Sequence, residues 1–277
     1  METGVVLGYG KNLAEDFAWC AKHSIPTCQL GVGVNHLTQE TSDEIKQLCK
    51  THNMRITALV GSWTGPSQWN FTGGPATLGI VPIAFRAMRM KELEACARFA
   101  QMLGVKDVCT HLGFIPENPG EGSYADFIAS LKHLVAYYKA HDTNLNMETG
   151  QETPVTLLRV INDIGATNLG INFDPANLLM YGKANPIDAL SIIGPYINGV
   201  HAKDGQYPTD GINLGEEKPL GEGQVNIKQF VLKLHEVGYK GALTIEREIS
   251  GEQQRIDVIK ANQMLRDIIS ENKLSAQ

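Results

Sequence analysis

The sequence predicts a single-domain α/β protein, a (β/α)₈ TIM barrel that spans residues 1–277. Eight short apolar segments alternate with longer amphipathic segments, which is the pattern of parallel strands joined by helices. No GxGxxG turn follows the first segment, as it would in a doubly wound open sheet that binds a dinucleotide. No linker or break in composition divides the chain, and single α/β barrels commonly reach this length.

Each predicted strand has about the length of a buried strand and lacks strict alternation, as expected when helices cover both faces of a parallel sheet. In chain order the predicted strands are VVLGY from Val5, TCQLGV from Thr27, RITALVG from Arg55, KDVCTHL from Lys106, NLNME to Glu148, NLGINFD to Asp174, INGVHAK around His201 and ALTIERE around Glu246.

Amphipathic segments lie between these strands. The clearest runs from Ala84 to Leu103 and is followed by Gly104. Glycine commonly ends a helix in the left-handed conformation, so we expect this helix to end there. The other predicted helices are Ser42 to Cys49, Tyr124 to Ala140, Pro154 to Ile164, Pro186 to Ile193, Ile227 to Val237 and Gln253 to Ile269. Long Gly- and Pro-rich loops at 61–81 and 204–224 follow strands, at the barrel end that carries active sites.

The composition narrows the class of partner. The formal net charge is -6 and no run of Lys or Arg is present, so we expect no nucleic-acid partner. No apolar run reaches the roughly 18 residues that span a bilayer, and the N-terminus lacks a signal-peptide pattern, so we expect no membrane partner. The five cysteines form no CxxC pair, which is typical of reduced thiols in a cytoplasmic protein.

Four potential metal ligands lie at the ends of the last four predicted strands: Glu148, Asp174, His201 and Glu246. Strand ends converge on the axis of a barrel, and buried carboxylates need partners. Three carboxylates and one imidazole suit one divalent ion, Mn²⁺, Mg²⁺, Co²⁺ or Zn²⁺, and favour a neutral polyol over a phosphate at the metal. The outward nitrogen of His201 should bond Asp204 or a backbone carbonyl, which fixes its tautomer.

Five segments, NMETGQETP, INFDPANLLMYG, GVHAKDG, PLGEGQVN and LTIEREI, resemble the sugar-phosphate isomerase/epimerase superfamily of xylose-isomerase-like barrels. That superfamily includes ketose 3-epimerases, hydroxypyruvate isomerase and inosose dehydratase. The resemblance covers nearly the whole chain and implies that Glu148, Asp174, His201 and Glu246 bind one divalent metal. It implies a homodimer or homotetramer, and it gives Glu148 and Glu246 a catalytic role in moving a proton next to a sugar carbonyl while the metal stabilises an enediolate.

Two positions depart from the ketose 3-epimerases. Asn177 stands where those enzymes have a histidine, and the segment HAKDG carries Lys203 and Asp204 but no arginine. The HxKD form resembles the dehydratase and uncharacterised branches more closely. We therefore predict a metal-dependent sugar isomerase or epimerase, with a metal-dependent sugar or inosose dehydratase as the alternative.

The candidate substrate-binding residues are His111, Asn177, Lys203, Asp204, Trp63 and Glu152. His111 ends the fourth predicted strand and either donates to a substrate oxygen or bonds the backbone. Lys203 is a candidate for a substrate hydroxyl or carbonyl, and Asp204 either orients the metal-binding histidine or pairs with Lys203. Glu152 faces the pocket or solvent, and Trp63 forms a wall for a sugar face or packs in the core.

Two other functional classes fit the residues less well. An AP endonuclease related to endonuclease IV needs several zinc ions and additional histidines. In this chain Ser62 or Trp63 occupies the strand-three ligand region and Asn177 replaces a histidine ligand. A non-catalytic sugar-binding barrel would not need both Glu148 and Glu246.

Overall fold

Eight parallel strands close into a barrel in the computed structural model, which describes residues 1–274. Each strand pairs with the next along the chain and the last pairs with the first, so the predicted barrel is confirmed and the open sheet is excluded. Residues 275–277 of the predicted domain lie outside the described part. The strands are β1 (Glu2–Gly8), β2 (Thr27–Val32), β3 (Arg55–Gly61), β4 (Asp107–Thr110), β5 (Asn144–Glu148), β6 (Leu169–Phe173), β7 (Ile197–Ala202) and β8 (Ala242–Ile245).

The predicted strand ends differ from the observed ones where the chain begins or leaves the barrel. Strand β1 begins at Glu2 rather than Val5, because Glu2 to Val5 pair with β8 and close the ring. Strands β4 and β8 end earlier than predicted, since His111 and Glu246 already belong to the segments that turn over the barrel end. Apolar runs alone do not show where that turn begins.

Ten α-helices are described for residues 1–274: α1 (Leu13–Lys22), α2 (Gln39–His52), α3 (Gly74–Thr77), α4 (Ile83–Leu103), α5 (Gly122–Ala140), α6 (Pro154–Ile164), α7 (Pro175–Met180), α8 (Pro186–Ile193), α9 (Ile227–Glu236) and α10 (Glu252–Glu271). The pattern did not predict α1, α3 or α7. Helix α1 has only three buried residues, Leu13, Phe17 and Cys20, which form one narrow stripe. The other two are short, with four and six residues.

Local capping sets the helix ends. Gly104 follows α4 with φ 78° in the left-handed region, as predicted, and its N–H bonds the last turn. Helix α2 begins before the predicted Ser42, because the Thr38 side chain accepts a hydrogen bond from the Thr41 N–H and caps the first turn.

The hydrophobic core lies between the barrel and its helices. Leu145 and Met147 of β5 are buried on the helix side, while Asn146 and Glu148 alternate with them and are buried toward the axis. Gln29 of β2 and Asn172 of β6 bond each other across the same interior. The axis of the barrel is therefore polar close to its C-terminal end.

All five cysteines are free, and four of them are buried, while Cys49 is partly exposed. Among the helices described for residues 1–274, none combines the length and apolar character that crossing a bilayer requires.

Candidate metal centre

The structure brings the four predicted ligands to one point at the C-terminal end of the barrel. Glu148 ends β5, Asp174 follows β6, His201 lies in β7 and Glu246 follows β8. One ligand atom from each lies within 4.8 Å of the others. The His201 Nδ1 is 3.1 Å from Glu148 Oε1, 3.2 Å from Glu246 Oε2 and 3.7 Å from Asp174 Oδ2.

The two carboxylate oxygens of Asp174 have different surroundings. Its Oδ1 accepts the Asn177 N–H at 2.8 Å and caps α7. The hydroxyl of Thr149 donates to the Asp174 carbonyl and accepts from the Asp174 N–H. The residue is fully buried, and its Oδ2 has no hydrogen-bond partner among residues 1–274. A buried carboxylate oxygen without a donor is costly unless a cation compensates it.

His201 presents a free nitrogen to the three carboxylates. Its Nε2 lies 2.9 Å from Gln29 Oε1, whose own amide nitrogen donates to Asn172 Oδ1 at 2.9 Å. The Nε2 must therefore carry a proton, and in the neutral ring the lone pair lies on Nδ1. The predicted partner of the outward nitrogen, Asp204 or a backbone carbonyl, is wrong, because barrel closure places Gln29 of β2 against this ring.

These observations fit a divalent cation. A lone pair on Nδ1 that faces three carboxylates is repulsive unless a proton or a metal ion lies between them. Burial alone would lower the pKa of the His201 imidazole, but the carboxylates of Glu246 and Glu148 outweigh it and raise it well above its usual value. Burial likewise opposes ionisation of Glu148, yet His111 and His201 lower its pKa to about 2. The site is thus arranged for a positive charge among its donors.

Lys203 lies beside the four ligands and is fully buried. Its Nζ is 3.1 Å from Glu246 Oε2, 2.8 Å from Glu248 Oε1 and 3.2 Å from Asn177 Oδ1. Burial would lower the pKa of this ammonium, but the carboxylates of Glu246, Asp174 and Glu248 raise it well above its usual value. Lys203 therefore carries a positive charge next to Glu246.

His111 bridges Glu148 and the loop after β5. Its Nε2 is 3.3 Å from Glu148 Oε1 and its Nδ1 is 3.3 Å from Gln151 Oε1. Burial lowers the pKa of His111, but Glu148 outweighs burial and raises the pKa to about 8. The ring bonds side chains rather than the backbone, and it lines the cavity in front of the ligands.

Asp204 has a different role from either one predicted for it. Its carboxylate bonds neither His201 nor Lys203. It is buried and accepts four backbone N–H groups at 2.9 to 3.0 Å, those of Gly205, Gly221, Gly223 and Val225. Both ends of the loop after β7, including the GEG turn, are thus tied to one side chain.

Glu152 is buried rather than exposed to solvent. It is 1% exposed, and its Oε2 has no hydrogen-bond partner among residues 1–274. Burial raises the pKa of its carboxyl to about 8, although His111 acts in the opposite direction. Glu152 does not line the cavities in front of the metal ligands, so its predicted contact with substrate stays a prediction.

Two neighbouring cavities include Glu148 in their walls. The larger, of about 460 Å³, includes Asn177, Tyr181, Glu246 and Glu248 in its wall, and we call it the metal lobe. The smaller, of about 230 Å³, is lined by residues that include Ser62, Trp63, Ser67 and Trp69, and we call it the tryptophan lobe. Trp63 thus lies at a cavity wall, as one of its two predicted roles requires.

Sequence patterns did not identify three residues of this site. Gln29 is a buried amide side chain in strand β2, and its polarity within a strand predicted to be buried was the available signal. Glu248 lies two residues after Glu246 and reaches Lys203, while Trp69 lies in a loop without any periodic pattern. Their roles depend on contacts between distant segments.

The chain is similar to several known proteins. Residues 17–268 match the protein family described as xylose isomerase-like TIM barrel. The crystal structure of a xylose isomerase domain protein from Planctomyces limnophilus superposes with a TM-score of 0.92, 31% sequence identity and 97% coverage of each chain. A D-tagatose 3-epimerase-like protein superposes with a TM-score of 0.75 at 20% identity, covering 99% of this chain and 100% of its own, and so shares the fold.

One curated relative is an uncharacterised protein of Methanocaldococcus jannaschii. It is 28% identical over 173 residues, which are 58% of this chain and 56% of the relative. The match therefore spans little more than half of that protein's length.

Proposed function

Since this chain belongs to the family of xylose isomerase-like TIM barrels, we propose that it is a divalent-metal-dependent isomerase or epimerase of a small sugar or sugar derivative. The proposed partner is this small molecule rather than a nucleic acid or a membrane. The proposed location is the cytoplasm, and the proposed assembly is a homodimer or homotetramer.

One observation carries the proposal: the four donor atoms of Glu148, Asp174, His201 and Glu246 converge, and those of Asp174 and His201 lack hydrogen-bond partners among residues 1–274. Three carboxylate oxygens and one imidazole nitrogen suit Mn²⁺, Mg²⁺, Co²⁺ or Zn²⁺. When bound, such an ion supplies a Lewis acid for the carbonyl and neighbouring hydroxyl of a sugar.

Glu148 and Glu246 are the proposed proton carriers. They come from β5 and β8, three strands apart around the barrel, and so approach a bound sugar from different sides. One carboxylate removes the proton from the carbon next to the carbonyl, and the electron pair of that C–H bond moves toward the carbonyl oxygen. Return of a proton to the opposite face of the same carbon gives an epimer, and return to the neighbouring carbon gives an isomer.

The surrounding polar groups hold the substrate and the carboxylates in place. His111 lies against Glu148 at 3.3 Å and faces both lobes, where its ring can donate to a sugar oxygen. Lys203 and Asn177 hold each other at 3.2 Å beside Glu246, and Asn177 lines the metal lobe. We assign His111, Lys203 and Asn177 to substrate orientation.

One observation favours the lyase alternative. The ammonium of Lys203 lies 3.1 Å from Glu246, so a proton donor stands beside a proposed base. In a dehydratase, the base takes the proton next to the carbonyl and the donor protonates the departing β-hydroxyl, which leaves as water. Loss of water would produce a diketone absorbance that an isomerase does not give.

The experiment that tests the proposal begins with metal analysis of the purified protein. The metal-loaded protein is then incubated with a panel of aldoses, ketoses and inososes in D₂O, and proton exchange and products are followed by NMR. Metal-dependent exchange without loss of water supports the isomerase or epimerase, and loss of water supports the lyase. Absence of bound metal, or exchange that persists after chelation, would refute the metal-dependent reaction.

A further inference from the structure

The metal lobe and the tryptophan lobe are two compartments of one site. They share Val60, Trp69, His111 and Glu148, so both reach the proposed base Glu148. The metal lobe, at about 460 Å³, already falls within the range of roughly 300–1,000 Å³ typical of small-molecule sites. One small sugar at the metal therefore leaves the tryptophan lobe unfilled.

The wall of the tryptophan lobe suits a ring. Trp63 and Trp69 lie with their planes 26° apart and their ring centroids 6.4 Å apart. Trp69 also meets the edge of His111 at 4.9 Å, which places it between the two lobes. Aromatic faces bind the apolar C–H face of a sugar ring. Trp69 is 47% exposed and lines both lobes, so part of its ring is open to contact with a ligand.

The loop that carries both tryptophans is held in place by one buried arginine. Arg89 of α4 is fully buried and lies 4.0 Å over the Trp63 ring. Its guanidinium donates at 2.6 to 3.1 Å to four backbone carbonyls of that loop, those of Thr64, Pro66, Thr77 and Gly79. Burying a charge is costly unless hydrogen bonds compensate it. All four hydrogen bonds of Arg89 are to the loop that carries the tryptophans, and they hold this loop in place.

A preorganised aromatic wall lowers the entropy that binding would otherwise lose. Trp63 lines the tryptophan lobe and not the metal lobe, so a sugar that occupies only the metal lobe does not contact it. Two lobes that meet at Glu148 and His111 instead match a substrate with two linked rings, of which only one reaches the metal ligands.

We propose that the tryptophan lobe binds a second sugar ring, so that the substrate is a glycoside or disaccharide whose reacting sugar occupies the metal lobe. This inference rests on the proposed sugar chemistry and names its substrate class. Trp63 forms the wall of the second ring site, and Trp69 separates the two rings.

Calorimetric titration of the Mn²⁺-loaded protein tests the inference with D-fructose and three ketose disaccharides: isomaltulose, turanose and lactulose. These probes share the fructose unit and differ in the linkage and the second ring. We expect at least one disaccharide to bind at least tenfold more tightly than D-fructose. If none binds more tightly than D-fructose, the second ring site is refuted.

Two substitutions locate the preference. Trp63→Leu removes the wall, and Ser67→Phe fills the lobe from an exposed position, so each should lower the ratio of disaccharide to fructose affinity at least fivefold. Trp19→Leu is the matched control, because Trp19 packs on His23 and Arg255 away from both lobes. An unchanged ratio in both lobe variants would overturn the inference.

Deuterium exchange with the same sugars separates this inference from the proposed reaction. A disaccharide preference without exchange would keep the second ring site and reject the isomerase. Exchange with D-fructose and no preference in binding would keep the isomerase and reject the second ring site.

Discussion

Loss of the hydrogen bond between Gln29 and His201 should lower metal affinity and so test the proposed metal centre directly. Gln29→Met keeps the length and burial of the side chain but removes the acceptor of the His201 Nε2–H, now 2.9 Å away. The ring then loses the contact that fixes its tautomer and directs its Nδ1 toward the carboxylates. The donor of Cys109, 3.3 Å from the same oxygen, also loses its acceptor.

The expected loss in metal affinity is about 10- to 100-fold, as for other groups that orient a metal-binding histidine. That range corresponds to about 1.4 to 2.8 kcal/mol. It agrees with the cost of about 1–3 kcal/mol for leaving one buried donor without an acceptor. Gln29→Glu should retain most of the affinity, because its carboxylate accepts from Nε2. The amide nitrogen of Asn172, without a partner among residues 1–274, can turn to donate to it.

The assay is competition for Mn²⁺ between the protein and a fluorescent chelator. Thr27→Val is the matched control, since Thr27 lies on the same strand, is equally buried and loses one hydrogen bond, to Thr3 O at 3.0 Å, away from the ligands. It should lower the free energy of unfolding and leave metal affinity unchanged. Equal metal affinity in Gln29→Met and the wild type would show that the His201 orientation does not depend on this contact.

Four further predictions concern separate parts of the site. Asp174→Asn should keep the cap of α7, because asparagine also caps helices, yet it should lower Mn²⁺ affinity more than tenfold in the same competition assay. Glu246→Gln should lower turnover on the order of 10²- to 10⁴-fold when the metal is saturating. Near-normal turnover of the Glu246→Gln variant would make a water molecule or Lys203 the better candidate for the base. Asp204→Ala should lower the free energy of unfolding in urea by at least about 2 kcal/mol and speed proteolysis within 205–225, and an unchanged cleavage rate would contradict its anchoring role. Burial raises the pKa of Glu152 from 4.5 to about 8, so its proton stabilises the fold at low pH and that contribution is lost as pH rises through this range. The Tm of Glu152→Gln should therefore rise relative to that of the wild type between pH 5 and about 9. A difference in Tm that does not change with pH would refute this.

Local sequence was sufficient to predict the barrel and the convergence of the four candidate metal ligands. Alternation of apolar strands with amphipathic helices is a local property, and parallel strands joined by helices have few ways to pack. Once eight strands are recognised, the residues at their carboxyl ends must meet at one end of the barrel. Glu148, Asp174 and His201 could therefore be placed together without any contact being known.

Tertiary structure decided what surrounds those ligands. Gln29 and His201 are 172 residues apart, and only closure of the barrel brings β2 against β7. The four N–H groups on Asp204 depend on how a long loop folds back, and the burial of Glu152 depends on what packs over it. Periodicity records which face of an element is apolar, but it does not record which distant polar group that element will meet, because the partner is set by the packing of the whole chain.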